Sequence, residues 1–239
     1  GITMYRSLIR PLLFKLPPEA AHDFTIRLLK GLTTLRFPLS MLRYGYAPKQ
    51  PQPVRLWDLE FPNALGLAAG VDKDAEVIEA MLALGFGFVE VGTVTPEPQP
   101  GNPAPRLFRF PKSHAIVNRM GFNNGGLEAM GRRIRRFRKR YSGPGVIGVN
   151  LGKQKSTPIE EAPADYLAGF HALADCADYF AVNISSPNTA NLRDLQQTEQ
   201  LEKLLKTLAE ANHAREDKKQ RKVPLLLKIA PDLEDAAIR

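Results

Sequence analysis

The sequence is poor in the features that mark secreted or membrane-spanning chains. Cys176 is the only cysteine among 239 residues, so these residues form no intrachain disulfide, and a reducing compartment is expected. No apolar run approaches the roughly 20 residues that cross a bilayer. A secretory signal is not expected ahead of the fold, which is taken to begin at Met4. A hydrophobic fraction of 44% and a charged fraction of 24% indicate a folded chain with a sizeable core.

Acidic residues are outnumbered by basic ones, and the net charge is +8. Much of the excess lies in the run GRRIRRFRKR at residues 131–140. Ile134 and Phe137 stand three residues apart in this run, which predicts a basic helix with a narrow apolar stripe. A solvated outer helix face is favoured over a nucleic-acid patch, because such runs are poorly specific and no base-reading motif accompanies them. No nucleic-acid partner is expected.

Two helices are predicted at the N-terminus, where apolar residues recur at three- and four-residue steps over 5–16 and 18–32. Pro11 is expected to kink or delay the first helix, and Pro18 suits the first turn of the second. Basic residues flank both apolar stripes. This pattern suits helices that lie in a membrane interface, and it suits equally a helical hairpin packed on its own domain. The sequence leaves both alternatives open.

Beyond a proline-rich linker at 47–55, short apolar strands alternate with helical patterns, which predicts a parallel sheet covered by helices. Strands are expected at 64–68, 88–92, 146–151, 179–184 and 225–229, and helices near 73–84, 124–140, 163–176 and 197–212, with another helical pattern at 233–239. A closed eight-unit barrel needs about 250 residues. Fewer residues than that follow the linker, so the fold is expected to be either an incomplete barrel or another α/β architecture. The long insertion 94–123 is expected to be a lid or hairpin cover.

Polar residues cluster where the predicted strands end, which is the edge at which parallel sheets place their ligands. The clearest cluster is VNISSPNTANLR at 182–193, in which two serines and three asparagines follow a buried strand. The other strand ends carry GVDK at 70–73, Gly92-Thr93, Asn150 and Lys228. A tight turn explains such side chains in part. A planar polar ligand held by amide groups, with a hydroxyl beside it, explains them as a set.

Together these segments resemble dihydroorotate dehydrogenase, and specifically its membrane-associated, quinone-reducing class. The motifs that carry the resemblance are FPNALGLAAGVDKD, GTVTPEPQPGNPAPRLFR, NRMGFNN, GVNLGK, VNISSPNTANLR and LKIAPDL. The resemblance implies an FMN-containing (β/α)8 TIM barrel, of which about five units are present, preceded by a small two-helix domain. Residues 4–46 would form the helical membrane and quinone-access domain, 47–55 the linker, and 56–239 the barrel.

The resemblance also implies an activity, the oxidation of dihydroorotate to orotate in pyrimidine synthesis with electrons passed to ubiquinone or menaquinone. It assigns the general base to Ser186, where the soluble classes carry cysteine, so Cys176 is expected to belong to the core. Substrate contacts are expected from Lys73, Asn118, Arg119, Met120, Gly121, Phe122, Asn183 and Asn188. Flavin contacts are expected from Ala69, Gly70, Thr93, Asn150, Asn183 and Lys228. Phe14, His22 and Arg109 are expected at the quinone tunnel, and no metal site is expected.

A monomer at the cytoplasmic face of a membrane, peripheral and in a bacterial inner membrane, is the expected state. Three alternatives stay open. One is a soluble flavin oxidoreductase of the same superfamily that acts on another pyrimidine. The second is a non-catalytic, flavin-free fragment, because the glycine-rich turns that hold the FMN phosphate in this family are absent from the 239 residues. An RNA-binding role for 131–140 is the weakest.

Overall fold

A computed structural model describes residues 4–34, 36–50, 52–188, 192–196, 198–218 and 220–232. The chain opens with more helices than predicted. A π-helical stretch, Tyr5–Ile9, continues into α1, Arg10–Leu13, and Pro11 is the second residue of α1, where it has no N–H to donate to the preceding turn. Helix α2 spans Pro18–Thr34 and α3 spans Arg36–Tyr46.

Helix α3 is absent from the sequence prediction. Pro38 stands in the first turn of this helix, where proline is tolerated. Leu39 is buried and Leu42 packs against the core, so α3 is held by its apolar face. Helix α2 also packs on the core, but Phe24 and Leu28 on its other side are more than half exposed. Among the described residues, no helix has the length and apolar character needed to cross a bilayer.

Five parallel strands form the central sheet, and they pair in chain order. They are β3 (Gly66–Leu67), β4 (Phe88–Val94), β7 (Val146–Leu151), β8 (Tyr179–Asn183) and β9 (Leu225–Lys228). Two antiparallel hairpins flank the sheet. The pair β1 (Val54–Leu56) and β2 (Leu59–Phe61) was missed by the sequence prediction, whereas β5 (Leu107–Phe110) and β6 (Ala115–Asn118) form the expected hairpin within the long insertion.

Four helices follow the strands: α4 (Ile78–Ala83), α5 (Gly126–Arg140), α6 (Ala162–Leu173) and α7 (Thr198–Asp217). Their apolar side chains pack against the sheet in one continuous core. Helix α4 begins five residues later than predicted. The Asp72 carboxylate accepts the backbone N–H groups of Glu76 and Val77, and Ala75 adopts a φ of 57°, so this segment forms a turn instead of a helix. The pattern at 233–239 lies outside the described residues.

The basic helix α5 is an outer helix with one buried stripe. Ile134 and Phe137 are buried, as their spacing predicted. Arg135 pairs with Asp175 at 2.9 Å, and Arg138 pairs with Asp178 at 2.5 Å. These arginines therefore join α5 to the segment that follows α6, as expected for the outer face of a packed helix.

Candidate active site at the strand ends

A cavity of ≈ 270 Å³ lies at the carboxyl ends of the parallel strands, near the lower limit of about 300 Å³ for small-molecule sites. Helix α2 and the β5–β6 hairpin contribute to its walls. The lining residues that the sequence predicted are His22, Ala69, Gly70, Lys73, Thr93, Asn118, Met120, Gly121, Phe122, Asn150, Asn183, Ser186, Asn188 and Lys228. Gly92, Leu107 and Asn123 complete the lining. The fold therefore brings residues from 22 to 228 into one site.

A larger surface groove of ≈ 810 Å³ lies between α2 and α5. None of its lining residues comes from a strand end. Several of its charged side chains pair with one another: Lys30 with Glu76 at 2.5 Å, and Arg133 with Glu76 at 3.6 Å. The smaller cavity at the strand ends is therefore the candidate site.

The floor of the cavity is a cluster of hydrogen-bonded polar side chains at the ends of β4, β7 and β8. Thr93 Oγ1 donates to Asn150 Oδ1 at 2.5 Å. Asn183 Nδ2 donates to the same oxygen at 3.1 Å and to Thr93 Oγ1 at 3.2 Å. All three residues are buried. Buried amides and hydroxyls are stable here because they satisfy one another.

Glu90 lies beneath this floor and fixes the orientation of the Asn150 amide. Its Oε1 accepts a hydrogen bond from Asn150 Nδ2 at 2.8 Å, and its Oε2 accepts one from the Tyr179 hydroxyl at 3.1 Å. Tyr179 packs over Gly148, where a Cβ atom would lie 2.1 Å from the ring. Burial, followed by the charge of Glu90, raises the pKa of the Tyr179 hydroxyl, which therefore remains a donor. Asn150 consequently presents its oxygen to Thr93 and Asn183.

Lys228, at the end of β9, is connected to the same cluster. Its Nζ donates to Ser185 Oγ at 2.8 Å, and Ser185 Oγ donates to Asn183 Oδ1 at 2.8 Å. The serine next to it, Ser186, lines the cavity, and its Oγ accepts the backbone N–H of Asn188 at 3.2 Å. The two adjacent serines thus have different roles in the geometry: Ser185 supports the floor, and Ser186 faces the ligand space.

The side of the cavity next to α2 is positively charged. Lys73 Nζ donates to the Gly70 carbonyl at 2.5 Å. Burial lowers the pKa of Lys73, while the nearby carboxylates, Glu19 foremost, oppose that shift. Burial also lowers the pKa of His22, and the charge of Lys73 lowers it further. An anionic group in this part of the cavity would meet one ammonium group beside an imidazole whose protonated form is disfavoured.

Three predicted site residues do not line the cavity. The guanidinium of Arg119 donates to the Pro105 carbonyl at 2.9 Å, so its side chain is engaged with the insertion loop. Arg109 lies over the Phe14 ring at 4.3 Å and donates to the carbonyls of Leu13 and Leu16, which joins the β5–β6 hairpin to the end of α1. Phe14 and Arg109 therefore lie together between the N-terminal helices and the hairpin.

A family model described as "Dihydroorotate dehydrogenase" matches residues 53–239. The chain belongs to the dihydroorotate dehydrogenase family. Curated relatives named dihydroorotate dehydrogenase (quinone) include a protein of Delftia acidovorans, 49% identical over 235 residues, and one of Ralstonia nicotianae, 51% identical over 231 residues. Each match covers 97% of this chain and 66% of the relative. The chain thus spans just under two thirds of the length of these relatives.

Solved structures of the same family have the same fold. A crystal structure of DHODH from Eimeria tenella in complex with ferulenol has a TM-score of 0.76 at 36% sequence identity, and the match covers 95% of this chain and 64% of that one. The ligand-free form from the same organism gives 0.77 at 38%. The expected TIM-barrel fold, with five strands of the barrel present behind an N-terminal helical region, is confirmed. The resemblance to the quinone-dependent class is confirmed as well.

The sequence did not single out the residues that support the candidate site. Glu90 and Ser185 hold the floor, and Gln99 donates through Nε2 to the carbonyls of Gly121 and Phe122, each at 3.1 Å. Two residues of the insertion loop contact Arg119, next to Asn118: Asn102 Nδ2 donates to the Arg119 carbonyl, and the Arg106 carbonyl accepts the Arg119 N–H. A polar residue within an apolar strand, as in FVEVG, is a signal that could have revealed Glu90. The partners of the loop residues are too distant in sequence to be read from it.

Proposed function

We propose that this protein oxidises dihydroorotate to orotate with FMN and passes the electrons to a quinone, ubiquinone or menaquinone, in pyrimidine synthesis. The observation that carries the proposal is the convergence of a hydroxyl, an ammonium group and several amides on one cavity at the strand ends. The names of the curated relatives support the same activity.

The lining chemistry fits a planar, anionic pyrimidine. The Lys73 ammonium provides the partner for the carboxylate of the substrate. The amides of Asn118, Asn183 and Asn188 provide donors and acceptors for the edges of the ring. Met120, Gly121 and Phe122 contribute the wall beside them, and Arg119 contributes through its backbone.

Ser186 is the proposed base. Oxidation removes a proton from one ring carbon and a hydride from its neighbour, and the Ser186 hydroxyl faces the ligand space from which the proton must be taken. The backbone N–H of Asn188 donates to Ser186 Oγ and stabilises the negative charge that develops there. A serine acts as a base only if its own proton leaves along a hydrogen-bonded route. Cys176 is excluded from this role by its burial in the core.

The residues present fit a flavin ring. Nothing lies within 4 Å of a Cβ built on Gly70, so a flat ligand can approach the backbone of Ala69 and Gly70. Asn123, which lines the cavity, has a buried Oδ1 without a hydrogen-bond partner among the described residues. Thr93, Asn150, Asn183 and Lys228 would hold the ring from the floor. A flavin held by these residues would supply the hydride acceptor for the substrate and the electron donor for the quinone.

Quinone access is proposed along the N-terminal helices, with residues 4–46 as the access domain, 47–55 as the linker and 56–239 as the barrel. His22 lines the cavity, and Phe14 and Arg109 lie together at the hairpin that flanks it. Leu8, Leu12, Phe24, Leu28 and Met41 are all more than half exposed. Exposed apolar side chains on helices with flanking basic residues suit a peripheral position on a membrane, at its cytoplasmic face.

The test is an absorbance spectrum of the protein as purified, recorded without oxygen before and after addition of dihydroorotate. We expect a flavin band that bleaches with dihydroorotate and recovers with a quinone. A flavin band that bleaches only with another pyrimidine would replace the proposed substrate. A protein without any flavin band would overturn the proposal.

Ser186→Ala provides the matched variant. Its rate of bleaching should fall by a factor of about 10² to 10⁴, the usual contribution of a general base. Orotate affinity should stay within a few-fold of the original, because the amides that bind the ring are unchanged. A variant that loses orotate affinity but keeps its rate would overturn the role of Ser186.

A further inference from the structure

Asn102 lies outside the cavity and bridges the two segments that form its polar wall. Its Nδ2 donates to the Arg119 carbonyl at 3.0 Å and to the Asn188 carbonyl at 3.2 Å. Its backbone N–H donates to the Met120 carbonyl at 2.9 Å. The Asn102 side chain thus joins the segment that carries Asn118 to the loop that carries Asn188, alongside a direct and longer hydrogen bond from Asn188 Nδ2 to the Asn118 carbonyl at 3.3 Å.

The orientation of this amide is determined by its partners. Two carbonyl oxygens face Nδ2 and require a donor, while the Lys155 ammonium lies 3.1 Å from Oδ1 and requires an acceptor. Gly121, with a φ of +76°, allows the wall to approach Asn102 closely, since a Cβ there would lie 2.8 Å from the amide carbon. An aspartate at position 102 would keep the shape of the side chain but would lose the donor.

Arg106 connects Asn102 to the N-terminal helices. Its Nη1 donates to the Asn102 carbonyl at 2.9 Å and to the Pro100 carbonyl at 2.5 Å. Its Nε and Nη2 donate to Glu19 Oε1, at 2.9 and 2.6 Å. The Arg106 and Glu19 side chains are only 15% and 26% exposed. Glu19 lies one turn before His22 on α2, so the loop, the wall and the helix are joined by one set of hydrogen bonds.

We propose that Asn102 is a positioning residue for the substrate pocket and that Arg106 anchors it to α2 through Glu19. Asn102 acts through the backbone of Arg119 and Asn188, which places the amides of Asn118 and Asn188 at the spacing that the pyrimidine ring needs. The inference rests on the proposed function, because it names what holds the substrate side of that same site. It assigns a substrate-binding effect to residues that do not touch the substrate.

The first experiment compares orotate binding and dihydroorotate kinetics of the holoenzyme with those of Asn102→Ala and Asn102→Asp. We expect Asn102→Ala to raise the orotate Kd and the dihydroorotate KM about tenfold. This variant loses the hydrogen bonds to the Arg119 and Asn188 carbonyls, which hold the two segments of the pocket wall in place. Asn102→Asp should be at least as harmful, because its carboxylate faces two carbonyl oxygens. The kcat should change less than KM in both, because Asn102 bonds the carbonyl of Asn188 and not the N–H that donates to Ser186 Oγ.

The matched control is Asn212→Ala. The Asn212 side chain, like that of Asn102, forms hydrogen bonds with backbone groups. Its Nδ2 donates to the Val223 carbonyl at 2.8 Å, and its Oδ1 accepts the Val223 N–H at 3.0 Å. Asn212 lies in the C-terminal half of α7 and does not line the cavity. It should leave KM and Kd unchanged. Thermal unfolding of all three variants separates a loss of folding from a loss of positioning. Asn102→Asp, which conserves volume, remains informative if Asn102→Ala does not fold.

A double-mutant cycle tests the anchor. Glu19→Gln and Arg106→Gln should each raise the dihydroorotate KM about threefold, and the double variant should be no worse than either single one, as expected for residues that act as a pair. Arg138→Gln, which removes an ion pair of similar burial far from the cavity, is the control and should leave KM unchanged.

The outcomes are distinct. An Asn102→Asp enzyme with wild-type KM and orotate Kd would overturn the role of Asn102, even if the wild type performs the proposed reaction. Additive effects of Glu19→Gln and Arg106→Gln would overturn the anchor alone. A flavin-loaded wild type that binds no orotate would overturn the proposed function, and this inference with it.

Discussion

Lys228 Nζ and Ser185 Oγ are joined by a hydrogen bond of 2.8 Å. The serine in turn donates to Asn183 Oδ1 at 2.8 Å. The ammonium group at the end of β9 is thus held by the loop that follows β8, and its position depends on a buried hydroxyl. Ser185 is therefore a support for Lys228 as well as for the Asn183 amide.

Ser185→Ala should lower kcat/KM about tenfold, because one hydrogen bond to a charged donor contributes roughly 1.5 kcal/mol. Steady-state kinetics of Ser185→Ala, Lys228→Met and the double variant measure the effect. If the serine acts through the lysine, the double variant should be no slower than Lys228→Met. A double variant whose loss of kcat/KM equals the product of the two single losses would contradict this account.

Glu90→Ala should destabilise the fold by about 1–3 kcal/mol, the cost of leaving the Asn150 amide and the Tyr179 hydroxyl without their acceptor. The free energy of unfolding in urea measures it. Glu60→Ala is the control, since Glu60 forms an exposed pair with Arg55 and its loss should cost under about 0.5 kcal/mol. Equal losses in the two variants would remove Glu90 from the supporting role.

Glu19 should make the stability of the protein depend on acidity. Its hydrogen bond to Arg106, followed by the opposing effect of burial, leaves the pKa of Glu19 below its ordinary value of 4.5. A carboxyl whose pKa is depressed by folding stabilises the fold above its unfolded pKa, and this contribution is lost as the pH falls through the folded pKa. The wild type should exceed Glu19→Gln by about 1 kcal/mol near neutrality, and the difference should shrink below pH 4.5.

The measurement for Glu19 is the free energy of unfolding of both proteins between about pH 7 and pH 3. The same pair compared in the Arg106→Gln background is the control, because the depressed pKa depends first on Arg106. A difference that persists unchanged to the acid end in the wild-type background would refute the linkage.

Cys176 should be nearly unreactive in the folded protein. Burial raises the pKa of its thiol to about 11 from an ordinary value of 9.0, and its Sγ lies 3.4 Å from the Leu173 carbonyl. The thiolate fraction near neutral pH is then about 100-fold lower than that of a free thiol. Reaction with a chromogenic disulfide should be slow until urea unfolds the chain. Cys176→Ser should keep full turnover. A variant that folds but loses turnover would contradict the assignment of the general base to Ser186 and not to Cys176.

The strand pattern was readable because each parallel strand is a short apolar run closed by polar residues. All five strands begin and end within two residues of their predicted bounds. The β1–β2 hairpin was missed because its strands have three residues each and the first of them overlaps the proline-rich segment. Helix α4 was predicted to begin five residues too early because Asp72 binds the backbone that a helix would have used. Local side-chain competition of this kind is not visible in a periodicity.

The candidate site was predictable only where motifs carried it. Residues such as Ser186 and Lys73 lie in long, specific segments, and they line the cavity. Glu90 and Asn102 act on partners 60 and 86 residues away, Asn150 and Asn188. Such contacts are created by the register of the sheet and the path of a loop. No local pattern in the sequence encodes them.

The register of the sheet also limits how this family can diverge. Asn150 pairs with Ala181, and Asn183 pairs with Lys228, so these side chains share one face while Val182 packs into the core behind them. Because successive side chains of a strand alternate between faces, a single-residue deletion before Asn183 would turn valine toward the ligand and the amide toward the helices. A substitution at these strand ends leaves the register of the sheet intact. Changes of chain length are confined to the loops, or must come in pairs.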